Sequence, residues 1–206
     1  MVVTFNCRST FFLKFMWKSL VQGHIDYCSQ LYFPNQSADL ERLEQLQQTY
    51  TKKIPEVNKL NYWERLKQLK MYSQQRRAER YQIIYTWRVL EGLAPNCGIK
   101  TTHSERRGLE CKMPMLKGSQ SVRNLRDQSF QVRGPRLFNS LPRSIRDTTR
   151  VSVLEFKEKL DQFLALLPDQ PKVGDLVPNV CDQITLKPSN SITDVIRHLK
   201  TSYGGG

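Results

Sequence analysis

The chain has 206 residues, with 32 Lys and Arg against 19 Asp and Glu, and a formal charge of +13. That length can bury a real core, an aromatic content of 10% stands outside the disordered class, and no apolar run approaches the roughly 18 residues that a bilayer crossing needs. Arg8, Lys14 and Lys18 interrupt the apolar amino terminus against a secretory leader, and five cysteines without a C-x-x-C pair point to a reducing, intracellular setting, nuclear or cytoplasmic.

A first helix is predicted from Ser9 to Leu31, because Leu13, Met16, Leu20, His24, Tyr27 and Leu31 recur at spacings of three and four. His24 reads as a buried, satisfied histidine on that stripe, and Phe11, Phe12, Phe15 and Trp17 read as exposed apolar surface. Pro34 and Asn35 end the segment, and Ser37 or Asp39 can cap the next helix. There Leu40, Leu43, Leu46, Tyr50 and Ile54 form a seam, with Glu41, Arg42, Glu44 and Gln48 facing out, until Pro55. Asn61 and Glu64 resemble a capping box for a short helix. Ser73 can cap the longest remaining one, which Gly92 stops. Its Ile83, Ile84, Trp87 and Leu90 on one side and Ala78, Tyr81, Tyr85 and Val89 on the other suit a helix packed between neighbours. Its first turns, with Arg76, Arg77 and Arg80, are expected to be exposed.

From Ala94 to Arg150 the helical period fails among Gly and Pro, and Leu109–Leu116 leaves room for a short edge strand. Ser152 and Glu155 then form a capping box for a helix with Phe156, Leu160, Phe163, Leu164 and Leu167 on its apolar face. Its Glu155, Glu158 and Asp161 read as a solvated face. Pro168 and Pro171 end that helix, and a weakly patterned tail comes after it with one short helix near Ile192–Leu199. The expected fold is mainly α: a helical bundle over 1–93, an irregular Arg-rich segment with a short hairpin over 94–150, a helix over 151–168, and a largely disordered tail over 169–206.

Chemistry for catalysis is missing. No two acids are adjacent and no D-x-D occurs to gather metal ions, and neither a phosphate loop nor a nucleophile elbow is present. His24 and Cys28 are spaced to reach one metal, but two ligands do not make a zinc site, and Cys97, His103 and Cys111 fit no zinc pattern and lack a fourth ligand. No cofactor and no metal are expected, and the chain reads as a non-enzyme. Charge is the remaining signal. Residues 52–150 hold 22 bases and eight acids, whereas residues 1–51 balance four against four and residues 151–206 set six bases against seven acids. A field so concentrated suits nucleic acid; a basic surface for an acidic partner protein is the alternative. Of eleven bases in residues 101–150, nine are Arg, whose planar fork binds phosphate oxygens in pairs. The candidate contacts there are Arg106, Arg107, Arg123, Arg126, Arg133, Arg136, Arg143 and Arg146. Arg76, Arg77 and Arg80 on the long helix join them. Some of these can instead hold loop carbonyls and helix C-termini.

Several stretches, in order, resemble the region after the palm in LINE-type (non-LTR) retrotransposon reverse transcriptases. They are Lys18-Ser-Leu-Val-Gln-Gly-His-Ile-Asp-Tyr-Cys28, Asp39-Leu-Glu-Arg-Leu-Glu-Gln-Leu-Gln47 with Lys53-Ile54-Pro55, and Tyr62-Trp-Glu-Arg-Leu-Lys-Gln-Leu69. Ser73 through Leu93 is the next. Phe130-Gln-Val-Arg-Gly-Pro-Arg-Leu-Phe-Asn-Ser-Leu-Pro142 is similar to a box of Jockey-like elements, with Phe138 where that box usually has Trp. Phe156-Lys-Glu-Lys-Leu-Asp-Gln-Phe163 and Ser189-Asn-Ser-Ile-Thr-Asp194 complete the series. The resemblance implies a thumb and post-thumb fragment that grips RNA or an RNA–DNA hybrid beside a palm domain. The palm's Tyr-x-Asp-Asp strand is not in this chain, and no membrane partner is implied.

Overall fold

A computed structural model of the chain describes residues 9–27, 29, 37–96, 98–105, 107–115, 117–169 and 191–203. It is mainly helical, and the described residues contain one two-stranded antiparallel sheet. Contacts divide it into two units, one of residues 1–77 and 169–186, the other of residues 78–168 and 187–206. The division falls inside the longest described helix rather than at residue 93.

The first unit opens with α1 (Thr10–Met16), a π-helical turn (Trp17–Gln22) and α2 (Gly23–Asp26). The π turn brings residues five apart onto one side, and Trp17 Nε1 donates to Gln22 Oε1 at 2.9 Å. It also rotates the residues beyond Trp17 away from the expected stripe. Leu20 is 44% exposed and His24 is exposed, whereas Trp17 is buried. Phe11 and Phe15 are exposed as expected, and Phe12 packs on the core.

Next come α3 (Ser37–Thr51), α4 (Tyr62–Leu69) and the first turn of α5 (Gln74–Leu90). Asn61 and Glu64 complete the capping box of α4 in both directions. Leu13, Ile54, Val57 and Leu69 form an apolar core. The face of α3 differs from its leucine pattern: Glu44, Gln47 and Thr51 are buried and Leu46 is 49% exposed. A polar network explains the choice. Glu44 Oε1 accepts from the Gln74 and Gln75 amides at 2.6 and 3.3 Å, and Oε2 from the Tyr62 hydroxyl at 2.7 Å. The orphan amides of the α5 amino terminus therefore find an acceptor in the interior. Asp169 adds a second one, accepting from Ser73 N and Oγ at 2.8 and 2.7 Å. Ser73 Oγ caps Arg76 N, as its position predicts.

The second unit holds the rest of α5, the strands β1 (Lys100–Ser104) and β2 (Gly108–Lys112), and five further helices. These are α6 (Gln120–Asp127), α7 (Phe130–Ser140), α8 (Arg143–Arg146), α9 (Val153–Ala165) and α10 (Ile192–Tyr203). Three helices thus occupy part of the segment expected to be irregular. Gly134 and Pro135 lie inside α7 because packing overrides their weak helical propensity. A Cβ on Gly134 would stand 2.6 Å from Thr86 Oγ1 and 2.7 Å from the Phe130 ring, so glycine permits the close approach of α7 to α5. Trp87 is fully buried, stacks on Phe156 with ring centroids 4.4 Å apart, and donates from Nε1 to Thr148 O at 2.7 Å. Helix α9 is capped by Ser152 Oγ and buries Phe156, Leu160 and Leu164. In the expected tail, α10 buries Ile192 and Ile196. Residues 170–190 of that tail lie outside the described residues.

Candidate nucleic-acid interface

The hairpin pairs Lys100 with Lys112 and Ser104 with Gly108. The outer edge of β2 is closed by side chains from the helical segment beyond it in the chain. Asn139 accepts from Cys111 N and donates to Cys111 O, both at 2.8 Å, as a neighbouring strand would. Asp147 Oδ1 accepts from Leu109 N at 2.8 Å. That bond, with the Arg143 guanidinium, holds the Asp147 carboxyl below its ordinary range. Gly108 sits at φ +71°, where a Cβ would meet the same carboxylate at 2.6 Å. Arg146 completes the edge, donating to Leu141 O at 3.0 Å and to Leu109 O and Arg107 O at 2.9 Å each, with Glu110 at 3.1 Å. Cys111 is buried, and burial pushes its thiol up to about 12.

This construction sorts the eleven candidate arginines. Arg146 is buried and its fork is used by backbone carbonyls, the structural role foreseen for some of the set. Arg76 is fully buried, with Nε 4.0 Å from Asp169. Arg77 grips Asp26 with Nε and Nη2, the shortest contact being 2.6 Å. Arg80 grips Asp161 at 2.5 and 2.7 Å, which draws that acid out of the solvated row expected on α9. The expectation of an exposed amino end on α5 is therefore overturned. Its arginines lie on faces covered by packing, and each is matched by a carboxylate. Arg106 lies outside the described residues.

Two exposed groups remain. At the hairpin end, Arg107 is 71% exposed, and Arg143 bonds both Asp147 and the Glu105 carbonyl of the same loop. On α6 and α7, Arg123, Arg126 and Arg136 are exposed beside Lys117. Arg126 is steadied by Lys117 O at 3.1 Å. Arg136 is paired with both oxygens of Asp127, whose carboxyl this pairing holds below its ordinary range. Helix α6 also exposes Leu125, and the connection before it exposes Met115.

Arg133 is half-buried, and burial lowers its guanidinium's proton affinity against the opposing pull of Glu79. It lines a cavity of about 290 Å³ with Arg136 and Leu137 of α7. Glu79 of α5 closes one side, and Ser191, Thr193, Asp194 and Arg197 at the start of α10 close the other. Sequence pattern gives no sign of Arg197, which stands alone in a near-neutral tail. Only docking of α10 on α7 brings it to the other arginines. Among the described residues no cluster of His, Cys, Asp and Glu could hold a metal ion, and no helix is long and apolar enough to cross a membrane. Neither a protein-family model, nor a curated protein, nor a solved structure matches the chain.

Proposed function

We propose that the chain is a non-catalytic nucleic-acid-binding module. It holds RNA or an RNA–DNA hybrid by its phosphates and corresponds to the thumb and post-thumb region of a LINE-type reverse transcriptase, with the palm as its natural neighbour. The observation that carries the reading is the pair of exposed arginine groups, Arg107 with Arg143 and Arg123 with Arg126 and Arg136, held on a short hairpin and adjoining helices. Their forks suit phosphate oxygens, and Leu125, on the same helix as Arg123 and Arg126, offers apolar surface for an unstacked base. The ordered series of motifs between Lys18 and Asp194 supplies the family part of the proposal.

Phosphate contact makes affinity salt-dependent through counterion release. Five contacts to a single strand give a slope of log K against log salt of about −3.5. Arg123→Gln with Arg126→Gln should lower affinity for all sequences alike and flatten that slope by about 1.4. Both side chains are exposed, so the circular dichroism spectrum should be unchanged. A filter-binding titration with a flat salt response, or a double variant that binds as the parent does, would falsify the reading.

A further inference from the structure

The cavity between α7 and α10 differs from the exposed arginines in its charge balance. Arg133, Arg136 and Arg197 face it, but so do Glu79 and Asp194, and Arg136 is itself neutralised by Asp127. A phosphate would meet about as much negative charge as positive there. What the cavity offers is a mixed hydrogen-bonding wall: guanidinium donors from α7 and α10, carboxylate acceptors, the Thr193 hydroxyl and one apolar side, Leu137. Its volume of about 290 Å³ is of the size that admits one base with part of its sugar, below the usual range of drug-sized pockets.

A guanine base has the complementary pattern. Its O6 and N7 accept in a pair that an arginine fork matches, and its Watson–Crick edge presents N–H donors that a carboxylate can accept. No other base combines two adjacent acceptors with two adjacent donors. Asp194 is suited to the donor edge. Its Oδ1 accepts from Arg197 at 3.1 Å, and a carboxylate keeps further lone pairs after one such bond. Glu79 is committed to the α10 backbone, with Oε2 accepting from Ile192 N at 2.7 Å, and so fixes the geometry of the wall.

We propose that this cavity takes a single unstacked guanine of a bound strand, read by Asp194 and by the Arg133 and Arg197 guanidinium groups. This rests on the nucleic-acid reading above and adds to it one position of base preference. Single-stranded recognition commonly works in this way, on splayed bases read at their edges.

The test uses the full chain and 12-nucleotide oligouridine strands with a single central substitution. A central G should tighten binding on the order of tenfold or more relative to U, A or C, the scale of one good paired contact. Asp194→Asn should abolish that preference while leaving affinity for the all-U strand and its salt slope unchanged. Arg197→Gln, at a side chain 69% exposed, should also reduce the preference, because it removes a donor and the partner of Asp194 together. Equal binding of all four strands, or a G preference that survives in both variants, would overturn the base site and leave the phosphate reading standing. Failure of the all-U strand to bind at low salt would remove both.

Discussion

Arginine does two different jobs in this chain, and burial decides which. Arg65 is buried and donates to Leu60 O at 2.7 Å and to Thr51 Oγ1 at 3.3 Å, closing the end of α3. Arg146 does the same for the hairpin edge. Each uses a rigid fork to satisfy carbonyls that a loop would otherwise leave orphaned, and a buried carbonyl left unmet costs about 1–3 kcal/mol. Glu44 is the acidic counterpart. Burial pushes its carboxyl up to about 7, against the Tyr62 hydroxyl and the α5 amides, which favour the charged form. Because the folded value lies above the ordinary 4.5, the folded state holds this proton more tightly than the unfolded chain. The stability it contributes is complete below about pH 4.5 and is lost as pH rises through about 7. The change is on the order of 3 kcal/mol. Glu44→Gln keeps an acceptor for the amides and cannot ionise. Urea unfolding at pH 5 and pH 8 should therefore show a smaller pH difference in the variant than in the parent. Equal differences would disprove the assignment.

At the scale of the element, the caps and the apolar faces of α5 and α9 were legible, whereas the face of α3 was not. Asn61, Ser73 and Ser152 cap the helices that their positions imply, because a cap needs only a side-chain oxygen three residues from an amide. The polar face of α3 was hidden because its acceptors serve amides thirty residues away. Helix α7 was hidden because Gly134 and Pro135 read locally as breakers, and their presence there is set by contact with Thr86 and Phe130. Gly134→Ala isolates that cause. Alanine improves helix propensity by about 1 kcal/mol, but its methyl would stand 2.6 Å from Thr86 Oγ1. Overpacking of that kind costs about 1–3 kcal/mol. We expect a net loss of stability in thermal unfolding, partly recovered when Thr86→Ala is added. A stabilised single variant would show that α5 and α7 do not approach so closely.

At the scale of the molecule, the charge excess is shared unevenly. The unit of residues 78–168 and 187–206 carries 19 bases against ten acids, and the other unit 13 against nine. The exposed arginines of the proposed interface belong to the first of these. An arginine-directed chemical footprint should therefore show Arg107, Arg123 and Arg126 modified in the free chain and protected by RNA. Arg76 and Arg146 should stay unmodified in both, since neither is accessible. Modification of Arg146 in the folded chain would contradict the hairpin edge described above.

The amino-acid order alone determined the mainly helical class, the principal caps and the concentration of arginine in residues 101–150, because periodicity, capping and charge are local properties. Only the tertiary structure decided which arginines face outward, why Glu44, Gln47 and Thr51 occupy a buried face, and how Arg197 comes to stand beside Arg133 and Arg136. Those outcomes depend on partners distant in sequence. A guanidinium goes inside only where carbonyls or carboxylates meet it.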